Sequence, residues 1–320
     1  MNRTIINSVA TQSKNQLKLF GYDNFFKNFI ELYNNSKLPN TILLSGKKGS
    51  GKATFAYHFI NYLLSKNENN KYSLEKFEIN PNNKSYHNLC NNIHPNFFST
   101  ESKLNDENIK IDDVRNIIKF LSKSTYSRDI KIILIDNVEN LNINSLNALL
   151  KIIEEPNKNV FFILVHNDKK KIIDTLKSRC LIFKINLTFD QSINISNLLL
   201  KENIFELLNN DLINYYAKPG DFISLVNFSK ENNVNLNELS LKKFLLFLIE
   251  ENYYKKNNFI KLNIFNYIEL YFLKIFNLST DKNKISSFYT KFINKINYAN
   301  KYNLDHESLF MEFKSKVLNG

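Results

Sequence analysis

A glycine-rich segment between an apolar run and a helical pattern constrains the fold of this chain most strongly. Residues 46–52 read Gly-Lys-Lys-Gly-Ser-Gly-Lys and fit the pattern G-x-x-x-x-G-K. The run 41–45 before it predicts a buried strand, and apolar residues at helical spacing between Phe55 and Leu64 predict a helix after it. Glycines in this setting let backbone N–H groups converge on a phosphate. The segment therefore predicts a phosphate-binding loop, and the alternative is a plain glycine-rich turn.

Strands and helices alternate through the first part of the chain. Apolar runs predict strands at 41–45, 96–100, 130–135, 160–165 and 180–185. Helical spacing predicts helices at 114–121, 146–153 and 169–178, and the polar stretch 65–96 is expected to be a long loop or a partly ordered insertion. This alternation implies right-handed βαβ units and an α/β fold, with a parallel sheet covered by helices on both faces.

No convincing strand is predicted after about residue 186, where helical stripes take over. One stripe runs from Ile264 to Ile275 and another from Leu309 to Val317. We therefore expect an α/β domain over 1–186 and helical segments over 187–230 and 231–320.

Composition excludes several classes of protein. A hydrophobic fraction of 43% and a charged fraction of 23% are those of a globular chain. Cys90 and Cys180 are the only cysteines, so no disulfide framework and no four-cysteine zinc site can form within the chain. No apolar run approaches a membrane span, and the first residues lack the apolar core of a secretory leader. A soluble cytoplasmic protein is expected.

The balance of charges is +12. A basic surface favours polyanions such as nucleic acid or nucleotides. The chain is rich in Lys, Asn and Ile throughout, however, so a general bias in residue usage explains much of this charge.

A second candidate feature of a nucleotide site is an acidic residue that follows the apolar run 132–135. Asp136 stands where a carboxylate organises Mg²⁺ at a strand end in phosphoryl-transfer sites, although a solvated turn is the alternative. Two features depart from an active site of this kind. Ala53 follows the loop lysine where Ser or Thr ligates Mg²⁺, and Thr54 lies about 100° further round the helix. Asn137 replaces a water-activating Glu, and Glu139 is expected to point elsewhere.

Three further motifs carry a family resemblance. LNALLKIIEEP at 146–156, FFILVHND at 161–168 and TLKSRC at 175–180 together resemble the AAA+ subunits of the bacterial DNA polymerase III clamp loader. The resemblance is strongest to the delta-prime type of subunit and covers about residues 18–186. It includes HPNFF at 94–98, IDDVR at 111–115 and IDNVENLN at 135–142.

The resemblance implies a fold, a partner set and a role for one arginine. It implies an AAA+ P-loop domain over 1–186, a helical lid over 187–230 and an all-α collar over 231–320. The partners would be delta-type and gamma/tau-type subunits in a hetero-pentameric ring, with the sliding clamp and primed DNA reached through that complex. Arg179, flanked by Ser178 and Cys180, would be donated in trans to a neighbouring ATP site. Only four of the 43 basic residues are Arg, which fits a special use of Arg179, although a surface arginine is the alternative.

The resemblance also assigns the nucleotide site of this chain. The expected nucleotide-binding residues are Gly46, Gly49, Ser50, Gly51, Lys52, Ala53, Thr54 and Asp136. ATP or ADP binding without hydrolysis is expected, and Mg²⁺ binding is left open. Where motor subunits carry a sensing Arg, this chain has Asp221, whose carboxylate would repel phosphates. Many members carry a four-cysteine zinc module, of which only Cys90 is present, so no zinc is expected.

Three functions fit these observations to different degrees. The leading hypothesis is a ring scaffold that lends Arg179 and turns over little or no ATP. The second is an active AAA+ ATPase of the gamma/tau type, favoured by the intact Gly51-Lys52 pair. The third is an unrelated P-loop enzyme such as a nucleotide kinase, which would leave the Ser-Arg-Cys motif and the helical C-terminal part unexplained.

Overall fold

The computed structural model describes residues 12–101, 108–123, 130–155, 159–168, 170–302 and 304–318. Arg3 and Arg128, two of the four arginines counted above, lie outside these ranges, as do Pro156 and the first residue of the helix predicted over 169–178. The chain divides into two compact units: the first comprises residues 1–196 with 218–220, and the second comprises 197–217 with 221–320. The subdivision of the helical part into a lid and a collar at residue 230 stays a prediction.

The first unit is built on a five-stranded parallel sheet. Its strands are β1 Thr41–Ser45, β2 Phe97–Glu101, β3 Lys131–Asp136, β4 Val160–His166 and β5 Leu181–Lys184. Their order across the sheet is β2-β3-β4-β1-β5, and all four pairings are parallel. From β1 the chain crosses to β2 at the far edge of the sheet, returns through β3 and β4, and then passes β1 to reach β5. The end of β1 therefore lies between the ends of β4 and β5. Loops at such a position line the usual ligand crevice of an α/β sheet.

Among the described residues, seven α-helices belong wholly or largely to this unit. They are α1 Asp23–Asn34, α2 Lys52–Leu64, α3 Lys84–Cys90, α4 Ile111–Ser122, α5 Ile143–Glu154, α6 Asp174–Lys177 and α7 Phe189–Leu200. The central strands β3 and β4 are almost wholly apolar and buried, as expected for a parallel sheet covered on both faces. A continuous core joins these strands to α4 and α5 through Val114, Ile117, Leu149 and Ile153. The predicted α/β fold is therefore confirmed.

The polar stretch 65–96 is more ordered than predicted. It contains α3, whose first turn is capped by Asn83, the side chain of which accepts a hydrogen bond from Tyr86 N at 2.7 Å. Glu68 accepts hydrogen bonds from Lys84 N and Ser85 N and so satisfies two more donors of the same turn. These polar contacts add to the burial of Tyr72, Phe77, Ile79 and Leu89 in ordering this segment.

The second unit contains only helices among its described residues. They are α8 Ile204–Leu207, α9 Pro219–Glu231 (its first two residues counted with the first unit), α10 Leu241–Glu250, α11 Tyr253–Lys256, α12 Asn258–Leu278, α13 Lys282–Lys301 and α14 Glu307–Phe313. An aromatic cluster of Phe272, Phe292 and Phe313 joins α12, α13 and α14, with ring centroids 5.3 to 5.9 Å apart. The all-α character predicted for this part of the chain is confirmed.

Within the described parts of the chain, no helix combines the length and the apolar character needed to span a membrane.

Candidate nucleotide site and arginine motif

The glycine loop connects β1 to α2, as the sequence predicts. Gly49 and Gly51 have φ angles of 80° and 84°, which side chains other than Gly rarely adopt. Gly46 is needed for a different reason: a Cβ at this position would lie 2.2 Å from the carbonyl oxygen of Ile185. The loop is therefore shaped by backbone conformation at two glycines and by the close approach of the β5 end at the third.

Lys52 is buried at the start of α2 and is bonded to its own loop. Its Nζ donates hydrogen bonds to the carbonyl oxygens of Gly46 at 2.8 Å and Lys47 at 2.7 Å, and its side chain lies 3.4 Å from Ser50 Oγ. Ser50 Oγ in turn donates to the Lys47 carbonyl at 2.8 Å. The Tyr22 hydroxyl donates to the Ser50 carbonyl. These contacts tie the lysine and the loop into one hydrogen-bonded unit.

A second segment closes on this loop within the first unit. Gly220 N donates a hydrogen bond to the Gly49 carbonyl at 3.0 Å, and a Cβ at Gly220 would lie 2.7 Å from Gly49 Cα. Lys218 Nζ donates to the Leu187 carbonyl at 2.6 Å. Lys218–Gly220, the residues directly before Asp221, thus lie against the phosphate loop, whereas the repulsion of phosphates by the Asp221 carboxylate stays a prediction.

Carboxylates near the strand ends raise the pKa of Lys52, against the effect of its burial. Burial lowers the pKa of Lys52 to about 8, and the negative charges of Asp136, Asp168 and Glu139 oppose that effect. The expectation that Glu139 points elsewhere was wrong, because its carboxylate also accepts a hydrogen bond from Asn167 N at 3.4 Å. The 3₁₀ turn Val138–Asn140 brings it back toward the site. Strand periodicity does not extend through such a turn, so the sequence pattern could not place it.

Asn137 and the end of β4 form the wall of the site beside Asp136. Asn137 adopts the left-handed conformation with φ of 58°, which Asn tolerates better than most residues. Its side-chain oxygen accepts a hydrogen bond from Asn167 Nδ2 at 2.6 Å. Asp136 Oδ1 accepts one from Asn137 N at 2.8 Å. The amide of Asn137 is thus held by Asn167, and it cannot serve as a base.

Three polar residues at the ends of β1 and β4 were not predicted as site residues. Ser45 Oγ lies 3.0 Å from His166 Nδ1 and donates a hydrogen bond to Asp168 Oδ1 at 3.0 Å. His166 Nε2 lies 2.9 Å from the Lys170 carbonyl. The signal that could have found them is the polar run His166-Asn167-Asp168 directly after an apolar strand. Placing that run beside β1 required the strand order.

Stability should depend on pH through Lys52. The pKa of lysine in an unfolded chain is about 10.5, so the folded chain loses this proton near pH 8 and the unfolded chain holds it longer. The free energy of unfolding contributed by this group is therefore expected to rise between pH 8 and 10.5, by about 3 kcal/mol. Urea denaturation of wild type and Lys52→Met at several pH values measures it. An unchanged difference between the two proteins across this window would contradict the assignment.

Arg179 follows the short helix α6 and makes hydrogen bonds to Thr175, Ser178 and Glu154. Its NH1 donates to the Thr175 carbonyl at 2.8 Å, and its NH2 contacts Glu154 Oε1 at 2.5 Å. The structure therefore brings together the Ser-Arg-Cys motif and the Glu of the LLKIIEEP motif, two segments that are 25 residues apart. Ser178 Oγ donates to the Thr175 carbonyl, and Cys180 packs against the core cluster, where burial raises the pKa of its thiol to about 12.

The segment that contains Cys90 and His94 is ordered by hydrogen bonds within the chain. Lys14 Nζ donates to the Cys90 carbonyl at 2.8 Å, and Cys90 Sγ donates to the Lys14 carbonyl at 3.4 Å. His94 Nδ1 accepts from Asn96 N at 3.1 Å, and its Nε2 lies 3.3 Å from Ser85 Oγ. These contacts fix the segment before β2 through the chain's own polar groups.

A glycine loop between β1 and α2, a carboxylate at the end of β3 and polar residues at the end of β4 together define a P-loop protein. A family model described as "DNA polymerase III, delta subunit" matches residues 21–188, more than half of the chain. The chain belongs to this family. The AAA+ type of fold predicted from the sequence is thereby confirmed, and an unrelated P-loop enzyme is ruled out.

The relatives agree with the delta-prime likeness. DNA polymerase III subunit delta' of Buchnera aphidicola subsp. Schizaphis graminum is 26% identical over 85% of this chain and 84% of its own length. The delta' subunit of Buchnera aphidicola subsp. Baizongia pistaciae is 30% identical over 57% of this chain and 48% of its own length. The gamma subunit from subsp. Schizaphis graminum is 28% identical over 68% of this chain and 60% of its own length.

Among solved structures, a DNA polymerase III gamma subunit-related protein of Thermotoga maritima is similar, with a TM-score of 0.45 and 16% identity. The match covers 89% of this chain and 96% of that one.

Proposed function

We propose that this chain is a delta-prime-like subunit of the clamp loader and acts in DNA replication. In this role it is a structural subunit of the AAA+ ring and donates Arg179 to the ATP site of a neighbouring ATPase subunit. One observation carries this proposal. Arg179 and Glu154, which come from the two most specific motifs of the resemblance, meet at an exposed surface, where the Arg179 side chain is about one-third accessible. A guanidinium keeps its charge and offers fixed donors to phosphate oxygens, so it suits the stabilisation of charge at a γ-phosphate.

The chain's own site is proposed to hold ATP or ADP without hydrolysing it. Ala53 offers no hydroxyl for Mg²⁺, and the Asn137 amide, held by Asn167, accepts no proton from water. A nucleotide entering this loop has to displace Lys52 from the Gly46 and Lys47 carbonyls. The loop then acts as a structural element of the ring rather than as a motor.

The assembly proposed for this function is a hetero-pentamer with delta-type and gamma/tau-type subunits, joined through the C-terminal helices. The sliding clamp and primed DNA are its substrates through the complex, and the charge of +12 suits contact with DNA phosphates. Because this function acts on replicating bacterial DNA, we propose a cytoplasmic location.

A second candidate function has one observation in its favour. Glu139, which the sequence pattern placed away from the site, acts electrostatically on Lys52 and touches Asn167. A carboxylate there is a possible general base for an active gamma/tau-like ATPase. The lead proposal is preferred because the Mg²⁺ ligand after Lys52 is still missing.

Mixing experiments test the proposed function. The purified chain is combined with the cognate gamma-type and delta-type subunits, and native mass spectrometry and ATP turnover with primed DNA are recorded. We expect one copy of this chain in a hetero-pentamer and no turnover by the chain alone. Turnover by the chain alone that is abolished in Lys52→Ala would instead support the motor function.

A further inference from the structure

Arg179 is already engaged within its own chain. Glu154, the last residue of α5, contacts its NH2 at 2.5 Å, and the Thr175 carbonyl accepts from its NH1 at 2.8 Å. Both terminal nitrogens of the guanidinium therefore have acceptors. A phosphate oxygen from a neighbouring subunit would compete for the same terminal nitrogens.

Charge adds to this competition. The Glu154 carboxylate neutralises the guanidinium, and the negative end of the α5 macrodipole lies at the same place. A carboxylate this close would also repel an incoming phosphate. Glu154 is therefore expected to weaken the attraction of Arg179 for a phosphate for as long as the two side chains stay paired.

The pair is nevertheless exposed enough to open. The side chains of Arg179 and Glu154 are 34% and 47% accessible. Exposed ion pairs are weak, whereas a guanidinium that grips a phosphate through two parallel hydrogen bonds makes a stronger contact. Exchange of one partner for the other can therefore be driven by nucleotide at the interface.

We propose that the Glu154 carboxylate competes for Arg179 with the phosphate of a nucleotide on the neighbouring subunit. Glu154 keeps the arginine paired within its own chain until that phosphate displaces it, and so sets the nucleotide concentration at which Arg179 binds across the interface. This inference rests on the proposed donation of Arg179 in trans. Glu154 acts here as a positioning residue, because it touches the arginine and not the phosphate. While Arg179 is paired with Glu154 it cannot bind the phosphate, so the apparent affinity for nucleotide is the intrinsic affinity multiplied by the fraction of arginine that is free.

The chain offers a matched control at the next position. Glu155 is also exposed and carries the same charge, but the ion pair of Arg179 is made with Glu154. Glu154→Gln and Glu155→Gln each remove one negative charge from the end of α5. Only the first removes the competing carboxylate.

The test uses the assembled complex with the cognate gamma-type subunit and primed DNA, titrated with ATP. Glu154→Gln is expected to lower the ATP concentration for half-maximal turnover by up to about fivefold, the range of an exposed ion pair. Glu155→Gln should leave it unchanged. The shift should shrink as KCl is raised, because salt screens the pair. In an Arg179→Ala background, Glu154→Gln should have no effect, as a double-mutant cycle requires of a residue that acts through the arginine.

The possible outcomes separate this inference from the function on which it rests. An unchanged or raised ATP requirement in Glu154→Gln, with Arg179→Ala still slow, overturns the role of Glu154 and leaves the donated arginine standing. If Arg179→Ala has no effect on turnover, the donation itself fails and the inference fails with it. Glu154→Asp retains the charge on a shorter side chain and should lie between wild type and Glu154→Gln. Thermal melting of each variant checks that the fold is intact.

Discussion

Replacing Arg179 with alanine is expected to slow ATP turnover at the receiving interface of the assembled complex by about 10³-fold or more. The reason is electrostatic: a guanidinium stabilises the charge that develops on the transferred phosphoryl group, and no neutral side chain replaces it. Steady-state turnover of the whole complex should fall by the share that this interface contributes. Rapid-quench measurements of the first turnover isolate the affected site.

Two variants sharpen this result. Arg179→Lys keeps the charge and loses the planar pair of donors, so its rate should lie between those of wild type and Arg179→Ala. Lys177→Ala removes a cation two residues away that pairs with Asp174, and it serves as the control for local charge. A Lys177→Ala rate as low as that of Arg179→Ala would show that general charge matters rather than a specific contact.

The second large effect concerns the fold itself. Gly46→Ala is expected to lower the free energy of unfolding of the first unit by more than about 3 kcal/mol, because overlap with backbone cannot be relieved by rotating a side chain. The added Cβ would lie 2.2 Å from the Ile185 carbonyl oxygen. Ser45 and Ile185 are joined by a backbone hydrogen bond of 2.7 Å, so the loop and the end of β5 would have to separate.

Gly51→Ala is the matched control for this prediction. Its Cβ would meet only Tyr22 Cε2, at 3.5 Å, so the expected effect is the cost of its left-handed backbone, about 1 kcal/mol. Amide hydrogen exchange of β1 and β4 under native conditions reports the stability of this unit directly. Equal protection in the two variants would contradict the role assigned to the approach of Ile185.

The local pattern of the sequence predicted the strands, the glycine loop and helices α2, α4 and α5, whereas α1 was not predicted. These features depend on apolar periodicity and on glycine, which act over a few residues. Helix α3 was not predicted, because Asn83 and Glu68 order it through polar contacts that leave no apolar stripe. The helix predicted over 169–178 is confined to Asp174–Lys177 in the described residues.

The site could be predicted only in part, because its composition depends on contacts between distant segments. The sequence identified Lys52, Asp136 and Arg179 as residues of interest, each from its own motif. The strand order places β4 between β3 and β1. Asn167 at the end of β4 therefore meets Asn137 at the end of β3, and His166 meets Ser45 at the end of β1. The pairing of Arg179 with Glu154 likewise joins the ends of two helices that no local pattern relates.

The central claim is that this chain lends an arginine and does not use its own phosphate loop as a motor. The most direct test compares ATP turnover by the complex of this chain, the cognate gamma-type subunit and primed DNA, using wild type, Lys52→Ala and Arg179→Ala. We predict that Arg179→Ala slows the complex and that Lys52→Ala does not once assembly is equal. Loss of turnover in Lys52→Ala with wild-type rates in Arg179→Ala would contradict the claim and identify this chain as the motor.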